Sequence, residues 1–322
     1  MEDVIMTERG PAKRPSFKEL EQQGWGAKAD NYDAFAGQIT VGAVAPLLDA
    51  AGVGAGMRVL DVACGPGYAA DGATARGADA IGVDFAPNMV AEARRRYPRI
   101  DFREGDAENL AFDTASFDAV VCAFGVLHCT DPDKAIAEAY RVLRSDGRYA
   151  FTVWMGPDRH DFFAIVLKAI ETHGNMQVSL PPAPPIFRFS DPAECRKVLT
   201  QAGFVDASVL ELALDWRAPS IDAILDCIYK STVRTSMMLE RQTPDALDRI
   251  HRAICESAER FARGGAYEIA WPAMLAAARK PNPPRSHPAP IWQADRRSLC
   301  SDARSVRGSP PMRRLETCFI SR

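Results

Sequence analysis

Short runs of apolar residues that alternate with helical segments are the feature of residues 57–154 that most restricts the fold. The runs are MRVLDV, AIGVD, IDFRE, FDAVVCAF and GRYAFTVW, and segments of helical periodicity separate most of them. Strands that alternate with helices in this way predict βαβ units and a parallel sheet. Because several runs are apolar throughout rather than at every second residue, we expect helices on both faces of the sheet.

Outside this region the alternation stops, and separate helices and strands are predicted. The predicted helices cover residues 16–36, 41–51, 161–173, 191–203, 220–236 and 243–261, and the predicted later strands cover 204–216 and 267–279. Residues 281–322 differ in composition, with seven Pro, eight Arg and no Lys. A nucleic-acid-binding arm is one interpretation of this tail, but a disordered or readthrough extension fits its composition better.

Bulk properties argue against several functional classes. The 322 residues carry a formal net charge of −3, which gives no general reason to expect a nucleic acid or an anionic membrane as partner. No apolar run reaches the roughly 18 residues that a membrane-spanning helix needs. The eight cysteines are scattered without metal-ligand spacing, and the N-terminus lacks a secretory signal, so we expect a cytoplasmic protein without bound metal.

A glycine turn follows the first strand of the regular region. Asp61 ends that strand, and Gly65 and Gly67 lead into an Ala-rich helix. Glycines at such a turn let a ligand approach the backbone closely. The pattern Gly65-x-Gly67-x-x-Ala70 also fits the nicotinamide dinucleotide fingerprint, so an oxidoreductase is the second hypothesis.

Acidic residues at three successive strand ends favour another ligand. Asp84 lies 23 residues after Asp61, near the offset of roughly 20 at which an acid binds an adenosine ribose, and Asp106 follows the third strand. Because parallel strands end at one edge of a sheet, the three aspartates are expected to line one groove. Such a groove repels a pyrophosphate but suits the cationic amino group of a sulfonium nucleoside.

The motifs of residues 58–154 resemble the class I methyltransferases that use S-adenosylmethionine (SAM), in particular the group that includes ubiquinone and menaquinone biosynthesis enzymes. The family sequence D-x-G-x-G-x-G is found as DVACGPG at residues 61–67, with Ala63 in place of the first glycine, and residues 116–154 match the later strands and helix. The resemblance implies an α/β fold of Rossmann type. Its doubly wound, mostly parallel sheet would have seven strands, with helical additions over the carboxyl edge.

The same resemblance implies which residues hold SAM. Asp61 and the backbone of the turn would bind the methionine portion, Asp84 the ribose and Asp106 the adenine amino group. The implied cofactor residues are Asp61, Ala63, Cys64, Gly65, Gly67, Asp84, Phe85, Met89, Asp106, Ala107 and Phe124. Asp118, at the opposite end of its strand, is expected to be structural.

The acceptor side is less defined by the sequence. His128 is the histidine nearest the predicted cofactor edge, where it is either a general base or part of the pocket frame. Trp25 and Tyr32 are candidates for a lid, and Met237 and Met238 for an apolar acceptor cavity, but ordinary packing is the preferred interpretation of each of these residues. Strand four lacks the motif with which the similar DNA amino-methyltransferases hold a flipped base, and no carboxylate pair offers an Mg²⁺ site.

These observations predict a SAM-dependent methyltransferase that acts on a small molecule and yields S-adenosylhomocysteine. The expected domains are a helical lid over residues 1–40, a SAM-binding domain over 41–280 with acceptor-side helices within 155–265, and the tail. A non-catalytic SAM-binding protein remains a third hypothesis beside the NAD(P)-dependent oxidoreductase. The identity of the acceptor and the oligomeric state stay open.

Overall fold

A seven-stranded β-sheet organises residues 14–283, the part of the chain that the computed structural model describes. Its strands are β1 (Arg58–Val62), β2 (Asp79–Asp84), β3 (Asp101–Glu104), β4 (Phe117–Ala123), β5 (Leu143–Trp154), β6 (Val205–Leu212) and β10 (Ala273–Arg279). They lie in the order β3-β2-β1-β4-β5-β10-β6. A smaller sheet contains β7 (Asp215–Ala218), β8 (Ala262–Arg263) and β9 (Ala266–Ala270).

Strand pairing confirms the predicted doubly wound, mostly parallel sheet. β1 pairs in parallel with β2 and β4, β2 pairs in parallel with β3, and β4 pairs in parallel with β5. Only β10 breaks this pattern among the seven, because it runs antiparallel between β5 and β6. The strand order reverses at β1, and in open α/β sheets such a reversal creates a ligand-binding crevice at the carboxyl ends of the strands.

Helices cover both faces of the large sheet. They are α1 (Phe17–Lys28), α2 (Ala36–Thr40), α3 (Val44–Ala50), α4 (Tyr68–Ala75), α5 (Pro87–Arg96), α6 (Pro132–Val142), α7 (Asp161–His173), α8 (Pro192–Gln201), α9 (Ile221–Ser231), α10 (Arg234–Glu240) and α11 (Pro244–Ala258). Successive residues of a strand enter opposite cores: Val59 packs in one apolar cluster and Leu60 in another. The sheet is therefore buried on both faces, as its apolar strands predicted.

Side-chain caps fix where several helices begin. Ser16 and Glu19 form a reciprocal capping box at α1, and Asp131 caps α6 by accepting from the Lys134 amide. Proline occupies an early position of α6, where its missing N–H costs nothing. Asp118 is structural, as expected, because it accepts from the Arg58 amide at 2.8 Å and from Arg144.

Three predicted elements are each divided in two. The strand expected over 267–279 is interrupted at Trp271-Pro272, and the strand expected over 204–216 ends at Leu212 before β7 begins in the small sheet. The helix expected over 220–236 stops at Ser231, because Thr232 adopts an extended conformation with φ −124° and ψ 142°.

Some expectations concern residues outside the described range. Residues 1–13 and almost all of the tail over 281–322 fall there, and the division into lid, SAM-binding domain and tail stays a prediction. Within residues 14–283, no helix has both the length and the apolarity required to cross a bilayer.

Candidate functional site

A cavity opens at the carboxyl ends of the parallel strands. Eight of the eleven residues predicted to hold a cofactor line it: Ala63, Gly65, Asp84, Phe85, Met89, Asp106, Ala107 and Phe124. His128 lines it as well. The fold therefore brings together side chains from the ends of β1, β2, β3 and β4 in one space.

Asp84, at the end of β2, ties two loops of the cavity together. Its Oδ2 atom accepts from the Gly65 amide at 2.8 Å, and its Oδ1 atom accepts from the Ala86 amide at 2.8 Å. Burial raises the pKa of the Asp84 carboxyl to about 6. Since each carboxylate oxygen can accept more than one hydrogen bond, both retain capacity for a ligand hydroxyl.

Asp61 is not one of the residues that line the cavity, so of the three aspartates expected in one groove the wall contains Asp84 and Asp106. Its side chain is 1% exposed, and its Oδ2 atom accepts from the Ala70 amide at 2.9 Å in the first turn of α4. Its Oδ1 atom is buried and has no hydrogen-bond partner among the described residues. Burial, with a further contribution from the nearby charge of Asp84, raises the pKa of Asp61 to about 8.

Cys64 and Gly67 also lie outside the cavity wall. Cys64 is buried, and its amide donates to the Val83 carbonyl at 3.0 Å. Gly67 has φ +93°, and a Cβ atom there would lie 2.6 Å from Phe102. The second glycine of the turn is thus required for packing against β3.

Asp106 lines the cavity but is already paired. Lys18 of α1 forms an ion pair with its Oδ2 atom, and the Glu108 amide donates to its Oδ1 atom at 2.9 Å. Lys18 also lies 3.7 Å from a carboxylate oxygen of Glu108. The sequence analysis did not identify Lys18, which comes from a segment far from the strand motifs.

Two non-glycine residues of the cavity wall have left-handed backbone conformations. Ala63 and Phe124 each have φ +55°, and they follow the neighbouring strands β1 and β4. Non-glycine residues in this region cost roughly 1–3 kcal/mol each and cluster at functional sites. Ala63, in the position of the first glycine of the family motif, therefore adopts the left-handed backbone conformation that glycine adopts at lower cost.

Aromatic rings form much of the remaining wall: Trp25, Tyr32, Phe124, Trp154, Phe163 and Trp271. Phe124 and Trp154 stack with centroids 3.8 Å apart and an interplanar angle of 19°. Met237 and Met238 do not line this cavity: from their segment Ser231 and Thr232 do, and Met238 packs against the apolar core. Trp154 and Trp271 were not identified in the sequence, although Trp154 ends a predicted strand.

His128 follows β4 and is anchored by the N-terminal helix. Its Nδ1 atom lies 2.9 Å from Oε2 of Glu21, whose side chain is 3% exposed. Trp25 packs edge-on against the His128 ring with centroids 4.8 Å apart. Glu21 is a further residue that sequence reasoning missed, since nothing in its local pattern indicates a partner over a hundred residues away.

Comparison with known proteins gives a family for the central strands. Residues 60–151 match the family described as "methyltransferase domain". A curated relative, the demethylmenaquinone methyltransferase of Renibacterium salmoninarum, is 36% identical over 141 residues, or 42% of this chain and 60% of that protein. This chain thus spans less than two thirds of that relative's length.

Solved structures share the fold at low sequence identity. Phosphoethanolamine N-methyltransferase 2 of Haemonchus contortus, solved with phosphomonomethylethanolamine and S-adenosylhomocysteine, matches 84% of this chain and 61% of its own with a TM-score of 0.52 and 19% identity. The cyclase SpnF matches 84% of this chain and 98% of its own with a TM-score of 0.50 and 19% identity. At these identities the likeness concerns the fold alone.

Proposed function

We propose that this chain, whose residues 60–151 carry a class I methyltransferase domain as the sequence motifs predicted, binds SAM in the strand-end cavity and methylates a small molecule. The observation that carries the proposal is the position of the cavity at the carboxyl ends of β1 to β4, where eight residues implied for the cofactor converge. In folds of this type, ligands bind in that crevice.

The acidic residues fit the cofactor's chemistry. Asp84 has spare acceptor capacity for ribose hydroxyls. Asp106 would accept a hydrogen bond from the adenine amino group once the Lys18 ammonium group moves away from its Oδ2 atom. The buried Oδ1 atom of Asp61 lacks a partner, and an unpaired buried acceptor of this kind is costly. A ligand ammonium group that reaches it would supply the missing donor.

The aromatic residues are proposed to bind the acceptor. Phe163 and Trp271 line the cavity, and so do Phe124 and Trp154, whose rings stack on each other. Such a wall favours a planar, apolar acceptor. This preference is in keeping with the demethylmenaquinone named for the curated relative.

SAM, when bound, supplies a methyl group that its sulfonium makes electrophilic. The protein's main contribution is then to place the acceptor nucleophile in line with that methyl, and correct placement can lower a barrier by roughly 7–11 kcal/mol. The described cavity residues can do this by stacking on the acceptor. His128 is proposed to take a proton from the acceptor where one must be removed.

The oxidoreductase hypothesis has weaker support. In a dinucleotide-binding turn, the pyrophosphate lies against the second glycine and the unpaired backbone N–H groups at the start of the helix. Here the second glycine, Gly67, packs on Phe102. The Ala70 N–H in the first turn of α4 already donates to Asp61. A non-catalytic SAM-binding protein would use the same cavity. Only turnover separates that hypothesis from ours.

The test is methyl transfer from radiolabelled SAM into a host metabolite extract. We expect label in a small organic product with wild-type protein and at least tenfold less with Asp84→Asn, on the order of the loss of one charged hydrogen bond. Asp79→Asn, at the exposed opposite end of β2, is the matched control and should behave as wild type. Binding of SAM without any transfer would favour the non-catalytic hypothesis. The absence of a nucleic-acid or membrane partner stays a prediction.

A further inference from the structure

Helix α1 delivers a buried carboxylate to the histidine of the cavity. Glu21 is 3% exposed, and a single oxygen, Oε2, contacts both Nδ1 of His128 at 2.9 Å and Nε1 of Trp25 at 3.1 Å. Within residues 14–283, no Lys or Arg forms an ion pair with Glu21. A carboxylate removed from water without a fixed cation is costly, so this arrangement calls for an explanation beyond helix packing.

The donors at Oε2 determine the tautomer of His128. An ionised carboxylate only accepts hydrogen bonds, and the indole N–H of Trp25 only donates. Nδ1 of His128 must therefore carry a proton in its contact with Glu21, so the second ring nitrogen, Nε2, is the acceptor when the ring is neutral. Since His128 lines the cavity while Glu21 does not, the ring presents its other side to the ligand space.

Glu21 holds His128 as the orienting acid holds the histidine of a hydrolase triad. Its carboxylate oxygen lies 2.9 Å from Nδ1 and so restricts rotation of the ring. Trp25 restrains the ring from its edge, with an interplanar angle of 76°. Both the orientation and the tautomer of the ring are thus set from α1.

We propose that Glu21 is a positioning residue that holds His128, with Nε2 unprotonated, as the proton acceptor of the reaction, and that the methyl acceptor is a compound that loses a proton when it is methylated. This inference rests on the proposed function. In the reaction the acceptor atom gains the methyl group as the S–CH₃ bond breaks, and the electron pair of that bond stays on sulfur. The bond between the acceptor atom and its hydrogen breaks in the same process, its electron pair stays on the acceptor atom, and the proton moves to Nε2 of His128.

The tautomer can be measured without knowing the acceptor. In full-length protein labelled with ¹⁵N-histidine, at about pH 8.5 where an ordinary imidazole is neutral, the ¹⁵N shifts show which nitrogen is protonated. We expect the Nδ1–H form for His128 in wild type and in Glu21→Gln, which keeps an acceptor. We expect a shift toward Nε2–H in Glu21→Met, which has none. Trp25→Phe is the matched control, because it removes the other donor to Oε2 and should leave Nδ1–H unchanged.

Reactivity of Nε2 is the second readout. Carbethoxylation of His128 by diethyl pyrocarbonate, followed by peptide mass spectrometry, should be at least about fivefold slower in Glu21→Met than in wild type. Buried His160 in the same sample should stay unmodified, which checks that the variant is folded. An Nε2–H tautomer in wild type, or equal carbethoxylation rates in the two proteins, would overturn the proposal.

Titration of the same samples with S-adenosylhomocysteine separates this inference from the proposed function. Protection of His128 from carbethoxylation by this ligand places the histidine beside the bound nucleoside. If wild type shows no binding, the proposed function fails while the tautomer result still stands. If binding is normal but the tautomer is Nε2–H, only the role of Glu21 fails.

Discussion

Asp84 accepts a hydrogen bond from the Gly65 amide at 2.8 Å, which joins the end of β2 to the glycine turn after β1. Asp84 is the last residue of β2, Gly65 lies in the turn after the neighbouring strand β1, and both residues line the cavity. The contact gives Asp84 two roles, because the carboxylate both shapes the turn and faces the ligand space.

Replacing Asp84 with Asn should weaken SAM binding by at least about tenfold, since a hydrogen bond to a charged acceptor contributes roughly 1.5–3 kcal/mol. The asparagine side chain of this variant must also turn its NH₂ group toward the N–H group of either Gly65 or Ala86. Thermal unfolding is therefore measured alongside calorimetry, so that a loss of stability is recognised. Asp79→Asn removes a carboxylate from the exposed end of the same strand and should leave the dissociation constant unchanged. Equal affinities in the two variants would contradict the ribose assignment.

Binding of SAM should release protons from Asp61. Burial raises the pKa of this carboxyl to about 8 in the free protein, so it is mostly protonated at about pH 7, whereas a ligand ammonium at Oδ1 favours the ionised form. The affinity should therefore rise with pH until about pH 8. Calorimetry at about pH 7 in two buffers of different ionisation enthalpy counts the released protons. The Asp61→Asn variant should release fewer protons on binding than wild type. Equal proton release by the two proteins would show that Asp61 is not linked to binding.

His160 should make the protein sensitive to acid. It is 1% exposed among Trp154, Phe163 and Trp271, neither ring nitrogen has a partner among the described residues, and burial lowers its pKa to about 3. An unfolded chain binds a proton here below its ordinary value of 6.5 while the folded chain does not, so the free energy of unfolding falls as pH drops from 6.5 toward 3.

Urea denaturation of wild type and His160→Phe measures this contribution. Between about pH 7 and pH 5, wild type should lose about 2 kcal/mol more unfolding free energy than the variant, whose ring fits the same aromatic cluster without a titratable group. Identical pH dependence of the two proteins would mean that His160 is protonated, or solvated, in the folded state.

Gly125 and Ala63 lie so close together that the effects of substitutions at the two positions on stability should depend on each other. A Cβ atom at Gly125 would overlap that of Ala63 and lie 2.9 Å from the Cys122 sulfur, so Gly125→Ala should destabilise the fold by roughly 1–3 kcal/mol. Adding Ala63→Gly removes the overlap, and glycine also suits the φ of +55° there, so the double variant should recover at least half of the loss.

Denaturation of the single and double variants forms a thermodynamic cycle for this pair. Gly54→Ala is the control, because nothing lies within 4 Å of a Cβ at that position. Additive effects of Ala63→Gly and Gly125→Ala would show that the two loops do not touch.

The central fold was predictable because its strands carry strong local signals. The apolar runs that include Val59 and Val120 are long enough to specify buried strands, and the caps at Asp131 and Ser220 mark helix starts. Later boundaries were missed where a local break lies inside a periodic pattern. Pro272 separates β9 from β10 and is a signal that the sequence offered, since proline seldom continues a strand.

The residues at strand ends that line the cavity were predictable from the sequence, and the residues that α1 contributes were not. Asp84 ends β2 and Phe124 directly follows β4, and parallel topology alone brings such residues together. Lys18 and Glu21 reach the cavity only through the packing of α1, which depends on tertiary contacts that no local pattern specifies. For Asp61, the sequence could not distinguish a helix cap from a ligand-binding group, and the structure shows Oδ2 capping α4.

The most direct test of a SAM-binding cavity is calorimetric titration of the full-length protein with SAM, S-adenosylhomocysteine and NAD under one set of conditions. We predict saturable binding of both adenosyl compounds at one site and no heat of binding from NAD. Saturable binding of NAD, with no response to either adenosyl compound, would contradict the account.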